Sequence, residues 1–318
     1  MNNFIQKLFL NISNSYEILK RFGILTFIYD ILKRYVFRSN GNVLGRFLYY
    51  KRYENIKKNL KTKYSSIIDK YKSIDKSVLT DIKDDCPIWV FWWQGINNDT
   101  PQTVSDCINS IQRNKKNHTL IILDRNNYSK YVTLPDIYTE RLKRKEITLT
   151  HFSDLLRVEL LKQQGGIWFD ATIILTRQIP VEVFSYPFFT VKHGLYSNFH
   201  VCKGLWSGFA LATCEHNPMF EYLSEMFQAY WQDEDVLVCY LLIDAFIALG
   251  YENIPWIKNM IDNVPYNNAD IFFVDDYGNE IVHAEDLPEN YIYKIHYKRK
   301  FNKKNSEGMT TVYGMVTE

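Results

Sequence analysis

The stretch His151-Phe152-Ser153-Asp154-Leu155-Leu156-Arg157-Val158-Glu159-Leu160-Leu161-Lys162-Gln163-Gln164-Gly165-Gly166-Ile167-Trp168-Phe169-Asp170-Ala171-Thr172 holds a helical period and a strand-like run on either side of a glycine pair. Phe152, Leu155, Leu156 and Leu160 recur at helical spacing and form an apolar stripe. Asp154 and Arg157, three residues apart, share another face of the same helix. Gly165-Gly166 predicts the helix end and a reversal of the chain, after which Ile167-Trp168-Phe169 reads as a strand. From Asp154 to Gln164 a helix climbs about 15 Å, and the extended residues from Gly166 to Asp170 travel back about 13 Å. An antiparallel return therefore sets Asp170 level with Asp154 and Arg157, so that two carboxylates and a guanidinium converge at a strand end.

A carboxylate at a strand end can hold a divalent cation through oxygen or accept hydrogen bonds from sugar hydroxyls. A neighbouring arginine can clamp phosphate with its forked donors. Together they suit a nucleotide-sugar pyrophosphate, whose departure requires its growing negative charge to be neutralised. The same residue types also fit an Asp–Arg pair that only orders a helix end beside an unrelated strand aspartate. By residue type alone both readings stand.

Upstream, Ile88-Trp89-Val90-Phe91-Trp92-Trp93 is an apolar run closed by Gln94-Gly95, as expected of a buried strand. A helix is predicted from Thr100-Pro101, with Val104, Cys107, Ile108 and Ile111 on its apolar side, and His118 to Leu123 reads as a second buried strand ended by Asp124. Strand, helix and strand at this spacing make the βαβ unit of a parallel sheet, which binds ligands at the carboxyl ends of its strands. That edge holds Trp92–Gly95 and Asp124. Neither G-x-G-x-x-G nor G-x-x-x-x-G-K-S/T occurs, so the ordinary dinucleotide and P-loop readings lack support. Further on, Val236 to Leu249 is an apolar stretch interrupted by Asp244 and reads as a buried helix, and His193 and His200 read as surface residues.

The 318 residues are 46% hydrophobic and 23% charged, which excludes wholesale disorder, and 16% aromatic, which suits ring- and sugar-stacking sites. Five scattered cysteines without a C-x-x-C pair argue against a disulfide framework or a zinc site and fit a reducing compartment. The net charge of +2 hides an asymmetry: residues 1–80 hold 16 Lys/Arg against 5 Asp/Glu, and the remainder holds 22 against 31. The chain thus divides into a basic helical N-terminal arm, 1–80, and an acidic body, 81–318. The first ten residues lack the long apolar core of a secretory signal, and no run is long enough to span a membrane. Phe4, Leu8, Phe9, Ile18, Leu19, Phe22, Leu25, Phe27, Ile28, Ile31, Leu32 and Tyr35 interleave with Lys7, Lys20, Arg21, Lys33, Arg34 and Arg38. That composition is expected to lie on an anionic membrane surface, to pack as a helical subdomain on the body, or both. Residues 51–80, with Lys57, Lys58, Lys61, Lys63, Lys70, Lys72 and Lys76, are expected to form an exposed helical connector. No nucleic-acid motif accompanies the charge, so nucleic acid is not an expected partner.

Ser153-Asp154-x-x-Arg157 followed by Gly165-Gly166-x-x-x-Asp170-x-Thr172 resembles the S-D-x-x-R … G-G-x-Y-x-D-x-D signature of the glycosyltransferase family 32-like (DXD sugar-binding) glycosyltransferases. The I-W-x-x-W-W-Q-G strand at Ile88–Gly95 and the G-G-I-W-x-D-A-T strand at Gly165–Thr172 are similar to those of bacterial capsular polysaccharide synthesis proteins, over roughly residues 86–300. The resemblance implies an α/β GT-A (Rossmann-like) fold, here with an added N-terminal helical arm, and a nucleotide-sugar donor, usually UDP-linked. It implies catalytic roles for Asp154, Arg157 and Asp170, donor contacts from these three with Thr172, and a base-binding region at Trp92, Trp93 and Gln94. It also implies Mn²⁺ or Mg²⁺. Thr172 departs from the pattern, because a hydroxyl replaces the second carboxylate and is a poorer cation ligand. His296 is the candidate to complete a metal site with Asp170, while Lys298 and Lys294 could instead neutralise the diphosphate. The acceptor half of such folds contains Trp206–Ala210 and the acidic stretch Gln232–Asp235, making Asp233 and Asp235 the acceptor candidates. The implied protein is a cytoplasmic transferase, peripheral at the inner face of the cytoplasmic membrane. It would take a lipid-linked or oligosaccharide acceptor in capsular or other surface polysaccharide synthesis, with retention of the anomeric configuration. The alternatives are a non-catalytic nucleotide- or carbohydrate-binding protein with a degenerate DXD motif, and a glycoside hydrolase.

Overall fold

A computed structural model describes residues 2–37, 39–74 and 79–318, with side chains except at residues 2–13 and 34. The expectations for the side chains of Phe4, Lys7, Leu8, Phe9 and Arg34, and for Arg38 and Lys76, therefore lie outside the described residues. The arm consists of α1 (Asn2–Ile31), α2 (Val43–Lys63) and α3 (Ser65–Lys72). The body follows with β1 (Ile88–Phe91), α4 (Gln102–Asn114), β2 (Leu120–Leu123), α5 (Asp136–Lys143), α6 (Leu149–Gln164), β3 (Gly166–Asp170), β4 (Ile173–Leu175), β5 (Phe188–Thr190), β6 (Ala210–Thr213) and α7 (Pro218–Asp233). It closes with α8 (Leu242–Asn253), α9 (Pro255–Asn263), α10 (Phe273–Tyr277), β7 (Ile292–Lys294) and α11 (Val312–Thr317).

Five strands form one sheet in the order β2-β1-β3-β6-β5. β1 pairs in parallel with both β2 and β3, and β6 joins β3 antiparallel. This is the expected GT-A-like α/β arrangement, three parallel strands followed by antiparallel pairings. The register sets Phe91 opposite both Leu123 and Asp170, so β1, β2 and β3 end at one level and open a common edge. Ile88, Val90 and Ile167 in the sheet and Phe152, Leu155, Leu156 and Leu160 on α6 are buried, and each such apolar side chain contributes roughly 1.5–3 kcal/mol. β4 and β7 form a separate antiparallel ribbon in which Ile173 faces Lys294.

Two expectations are corrected. α2 and α3 are not an exposed connector: Tyr53, Ile56, Leu60, Tyr64, Ile67, Ile68 and Tyr71 are buried in the same core as the body. The helix predicted from Val236 begins only at Leu242. The Tyr230 hydroxyl donates to Val236 O at 2.5 Å and accepts from Val238 N at 2.9 Å, and Arg52 donates to Val238 O at 3.1 Å, so side chains satisfy this backbone in place of helical bonds.

The charge asymmetry is resolved across the same interface. Arg21 pairs with Asp235, Lys63 with Glu234, Lys57 with Glu252, and Lys70 with Glu225 at 2.6 Å. Inside the arm, Arg52 lies 2.6 Å from Asp30. No helix among the described residues is long and apolar enough to cross a membrane.

Candidate active site

Thr148 caps the start of α6 by accepting from His151 N at 3.2 Å. The helix then ends where the glycine pair demands. Gly165 has φ 61° and Gly166 φ 95°, and a Cβ on Gly166 would lie 2.6 Å from Pro87 O. Only glycine combines that conformation with so close a backbone approach, and the reversal it permits runs β3 back along α6.

At the level where β3 ends, Arg157 Nη2 lies 3.1 Å from Asp170 Oδ1 and 3.3 Å from Asp154 Oδ1. Its Nη1 donates to Gly208 O, where a Cβ would stand 3.0 Å from that nitrogen. The guanidinium lies 5.1 Å from the Trp168 ring, and Trp168 Nε1 donates to Asp170 Oδ1 at 3.1 Å. Asp154, Arg157 and Asp170 are therefore brought together, as the strand and helix lengths predict. The strand aspartate is thus in contact with the helical pair, since one guanidinium bridges both carboxylates.

Sequence reasoning gave Lys294 only a secondary role. The β4–β7 register carries it to Asp170, with Nζ 3.1 Å from Asp170 Oδ2 and a second bond to Thr172 Oγ1. Asp244, read only as an interruption in an apolar run, lies behind the cluster at the start of α8 and accepts from Trp206 Nε1 at 2.9 Å. Tyr240 is exposed yet within reach of the Asp154 and Asp170 charges; partial burial and these carboxylates hold its phenol above the ordinary value.

Electrostatics separates the carboxylates. Burial pushes Asp154 up to about 7; Arg157 opposes the rise, and Asp244 and Asp170 add to it. Burial also acts on Asp170, but Lys294 and Arg157 outweigh it and hold its carboxyl below the usual range. Asp244 is raised to about 6 by burial, against its bond from Trp206. His151 is buried and lowered to about 3, hence neutral. Its Nε2 accepts from Trp231 Nε1 at 3.1 Å, which leaves the ring proton on Nδ1, 3.8 Å from Asp154 Oδ2.

Trp92 and Trp93 are half-buried beyond the end of β1 and Gln94 is exposed. Trp92 meets the Tyr297 ring edge-on at 5.5 Å, whereas Trp93 packs against Phe91 and Phe152. Trp89 is core, its Nε1 bound to Gly165 O at 2.9 Å. Lys298 is exposed and lies 5.8 Å from the Tyr297 ring. Asp233 and Asp235 are exposed and paired at the surface: Asp235 with Arg21 and with Arg141 at 3.3 Å, and Asp233 with Lys63 at 3.6 Å. His193 is buried and His200 half-buried, where surface positions were expected; burial lowers both to about 4. The five cysteines are buried and free.

The implied metal site can be tested against its donors. His296 is 67% exposed and turns Nδ1 to Asp275 Oδ2 at 2.8 Å, while its backbone N–H donates to Asp275 Oδ1 at 2.7 Å. β7 ends at Lys294, and Asp275 on α10 captures the residue two positions later, so His296 does not join Asp170. The oxygens of Asp170 already face Arg157 and Lys294, and Thr172 offers a hydroxyl already bound by Lys294. Among the described residues no three His, Cys, Asp or Glu side chains are grouped to hold an ion. The Asp170–His296 metal pair does not fit this arrangement.

Two hollows lie apart from the cluster. One is an apolar void of about 20 Å³ lined by Ile167, Phe169, Ala210 and Leu211, the other an open hollow of about 450 Å³ near Tyr71, Lys162, Ser224 and Glu225.

Residues 41–315 match the model of the capsular polysaccharide synthesis protein family, and the chain belongs to that family. It is 25% identical over 183 residues to the glycosyltransferase afumC of Aspergillus fumigatus, covering 49% of this chain and 45% of that protein. It is 31% identical over 106 residues to the O-glycosyltransferase braB of Annulohypoxylon truncatum, covering 31% of this chain and 25% of that protein. The chain thus spans less than half the length of these curated relatives. Among solved structures it is similar to the PaToxG glycosyltransferase, with a TM-score of 0.41 and 17% identity over 70% of this chain and 84% of that one.

Proposed function

We propose that this member of the family is a glycosyltransferase that moves a sugar from a nucleotide-sugar donor, UDP-linked, to a lipid-linked or oligosaccharide acceptor in surface polysaccharide assembly. The observation that carries the reading is the convergence of Asp154, Arg157 and Asp170 where three parallel strands end. Asp170, kept ionised, accepts from ribose or sugar hydroxyls, and Asp154 contacts the donor sugar. Arg157 fixes both carboxylates and supplies positive charge toward the phosphates. The bond from the sugar C1 to the diphosphate breaks with its electron pair on phosphate oxygen. The acceptor oxygen then bonds C1 with retention of configuration, and its proton is released.

The membrane surface is the second partner of this reading. Ile24, Leu25 and Ile28 on α1 and Val43, Leu44, Phe47 and Tyr50 on α2 are exposed, with Lys20, Arg46 and Lys51 exposed on the same two helices. Exposed apolar side chains with exposed cations on the same helices are complementary to an anionic lipid surface, here the inner face of the cytoplasmic membrane. α2 also reaches the segment that carries Tyr240: Tyr53 Oη accepts from Leu241 N at 3.4 Å. A protein lying on lipid through this face would present its site close to a lipid-linked acceptor.

A thermal-shift screen with UDP, GDP and CDP, followed by assay of free UDP released from UDP-sugars, tests the function. Stabilisation by UDP and slow donor hydrolysis are expected. No stabilisation by any nucleotide refutes the reading, and binding without UDP release favours the non-catalytic binder, for which Thr172 in the motif is the specific support.

A further inference from the structure

We propose that the Lys294 ammonium occupies the place a divalent cation takes in a two-carboxylate sugar-transfer site, so that the donor diphosphate is gripped by a protein cation and binds without metal. The inference rests on the nucleotide-sugar reading of the site and deepens it.

In the D-x-D pattern, two side chains two residues apart on one strand end would face a shared cation. Here those positions are Asp170 and Thr172, and a cation does lie between them: Lys294 Nζ binds Asp170 Oδ2 at 3.1 Å and also Thr172 Oγ1. The loss of a carboxylate at Thr172 and the arrival of an ammonium beside it are chemically consistent. A neutral hydroxyl lowers the negative charge of the site to what one lysine balances, whereas two carboxylates would call for a doubly charged ion.

Lys294 is built in rather than draped over the surface. Its strand pairs with β4 through the Ile173–Lys294 register, and its N–H donates to Ile271 O at 2.8 Å. Tyr293 and Ile295 on either side are buried, and the ammonium lies 5.5 Å from the Phe209 ring. With 17% of its side chain exposed, the group is partly desolvated but open on one side. An ammonium has three donors; two are engaged by Asp170 and Thr172, and the third is available to a phosphate oxygen. Arg157, across Asp170, would meet the same diphosphate from the other side. A metal ion bound at Asp170 would stand beside these two cations and be repelled by both.

The test is calorimetry of the full chain with UDP as the probe, in EDTA and with Mn²⁺, alongside electron paramagnetic resonance of Mn²⁺ titrated into protein and UDP. GDP and CDP serve as parallel arms. We expect wild-type protein to bind UDP in EDTA with an affinity changed less than about threefold by Mn²⁺, and protein-bound Mn²⁺ to stay undetected at micromolar concentrations. Lys294→Met, which keeps the chain length and removes the charge, should weaken UDP at least tenfold and leave uridine unchanged, whereas Lys294→Arg should retain most of the affinity. Nucleotide binding that vanishes in EDTA and returns with Mn²⁺ overturns the inference while leaving the transferase reading intact, as does full UDP affinity in a folded Lys294→Met. Should that variant not fold, the metal response of wild type and the Lys294→Arg titration still decide. Absence of binding by UDP, GDP and CDP under both conditions refutes the transferase reading and the inference with it.

Discussion

Replacing Asp154 with asparagine should make the protein more stable at neutral pH while abolishing the UDP release expected of the proposed transferase. Asp154 has an 11% exposed side chain, and its carboxyl titrates near 7 in the folded protein against 3.8 as the ordinary value. Between those two values the unfolded chain has released the proton and the folded chain still holds it. Stability therefore falls as pH rises, at about 1.4 kcal/mol per unit, and a difference of about three units accumulates to roughly 4 kcal/mol by pH 7. Below pH 4 both states are protonated and the penalty is absent; above 7 both are ionised and it is constant. The amide that replaces the carboxyl has nothing to titrate. Urea unfolding of wild type and Asp154→Asn at pH 4, 5, 6, 7 and 8 should yield stability curves that diverge by roughly 3–4 kcal/mol between pH 4 and 7 and then run parallel. Titrations of groups remote from Asp154 cancel in the difference, whereas Asp244 and Asp170, which are coupled to it, shift with the substitution. A gap that stays constant within about 0.5 kcal/mol over that range would mean that Asp154 ionises normally, and the account of burial outweighing Arg157 would be wrong.

Arg157→Lys keeps the charge but loses the fork that bridges Asp154, Asp170 and Gly208 O, and should lower kcat/KM for donor hydrolysis by about 100-fold or more, measured as UDP release. Gly166→Ala forces a side chain into φ 95° and against Pro87 O, so thermal unfolding should show a loss of more than about 1–3 kcal/mol; an unchanged melting temperature would refute the glycine-controlled reversal. Leu25→Glu with Phe47→Glu, both at exposed positions, should abolish co-sedimentation with anionic vesicles and leave melting temperature and UDP release in solution unchanged. These substitutions are cleaner than deleting residues 1–40, because Ile18 and Phe22 are buried in the shared core. Persisting co-sedimentation would remove the membrane surface from the reading.

The helix, the glycine pair and the strand were legible in the sequence because their information is local: an apolar period, a breaker and a run of known rise per residue. Those lengths alone bring Asp170 to Arg157. Lys294 could not be singled out in that way. It meets Asp170 across 124 residues of chain through the pairing of two three-residue strands. In Tyr293-Lys294-Ile295-His296-Tyr297-Lys298, residues 294, 296 and 298 share a strand face by alternation. What distinguishes them is the end of β7 at Lys294 and the capture of His296 by Asp275, both tertiary facts. The apolar run from Val236 misled for a related reason. A tyrosine hydroxyl and an arginine from the arm satisfy its backbone, and no sequence period records such bonds. Arm and body charges were legible as a total but not as partners, so the pairing of Asp233 and Asp235 with Lys63 and Arg21 of the arm could not be read from the sequence.

Charge balance in the cluster also bears on why Asp154 remains strained. Asp170 has two cations within 3.1 Å, whereas Asp154 has only a share of Arg157 at 3.3 Å, with Asp244 and Asp170 adding repulsion. A purely structural ion pair would place its cation to satisfy both acids equally, or replace one of them by an apolar group, since breaking even around a buried charge is difficult. Here the guanidinium and ammonium instead flank Asp170, which leaves positive charge facing the strand end and an acid that prefers its proton on the other side. That polarity suits a bound molecule with an anionic half and a hydroxyl-bearing half: diphosphate oxygens toward Lys294 and Arg157, sugar hydroxyls toward Asp154 and Asp170.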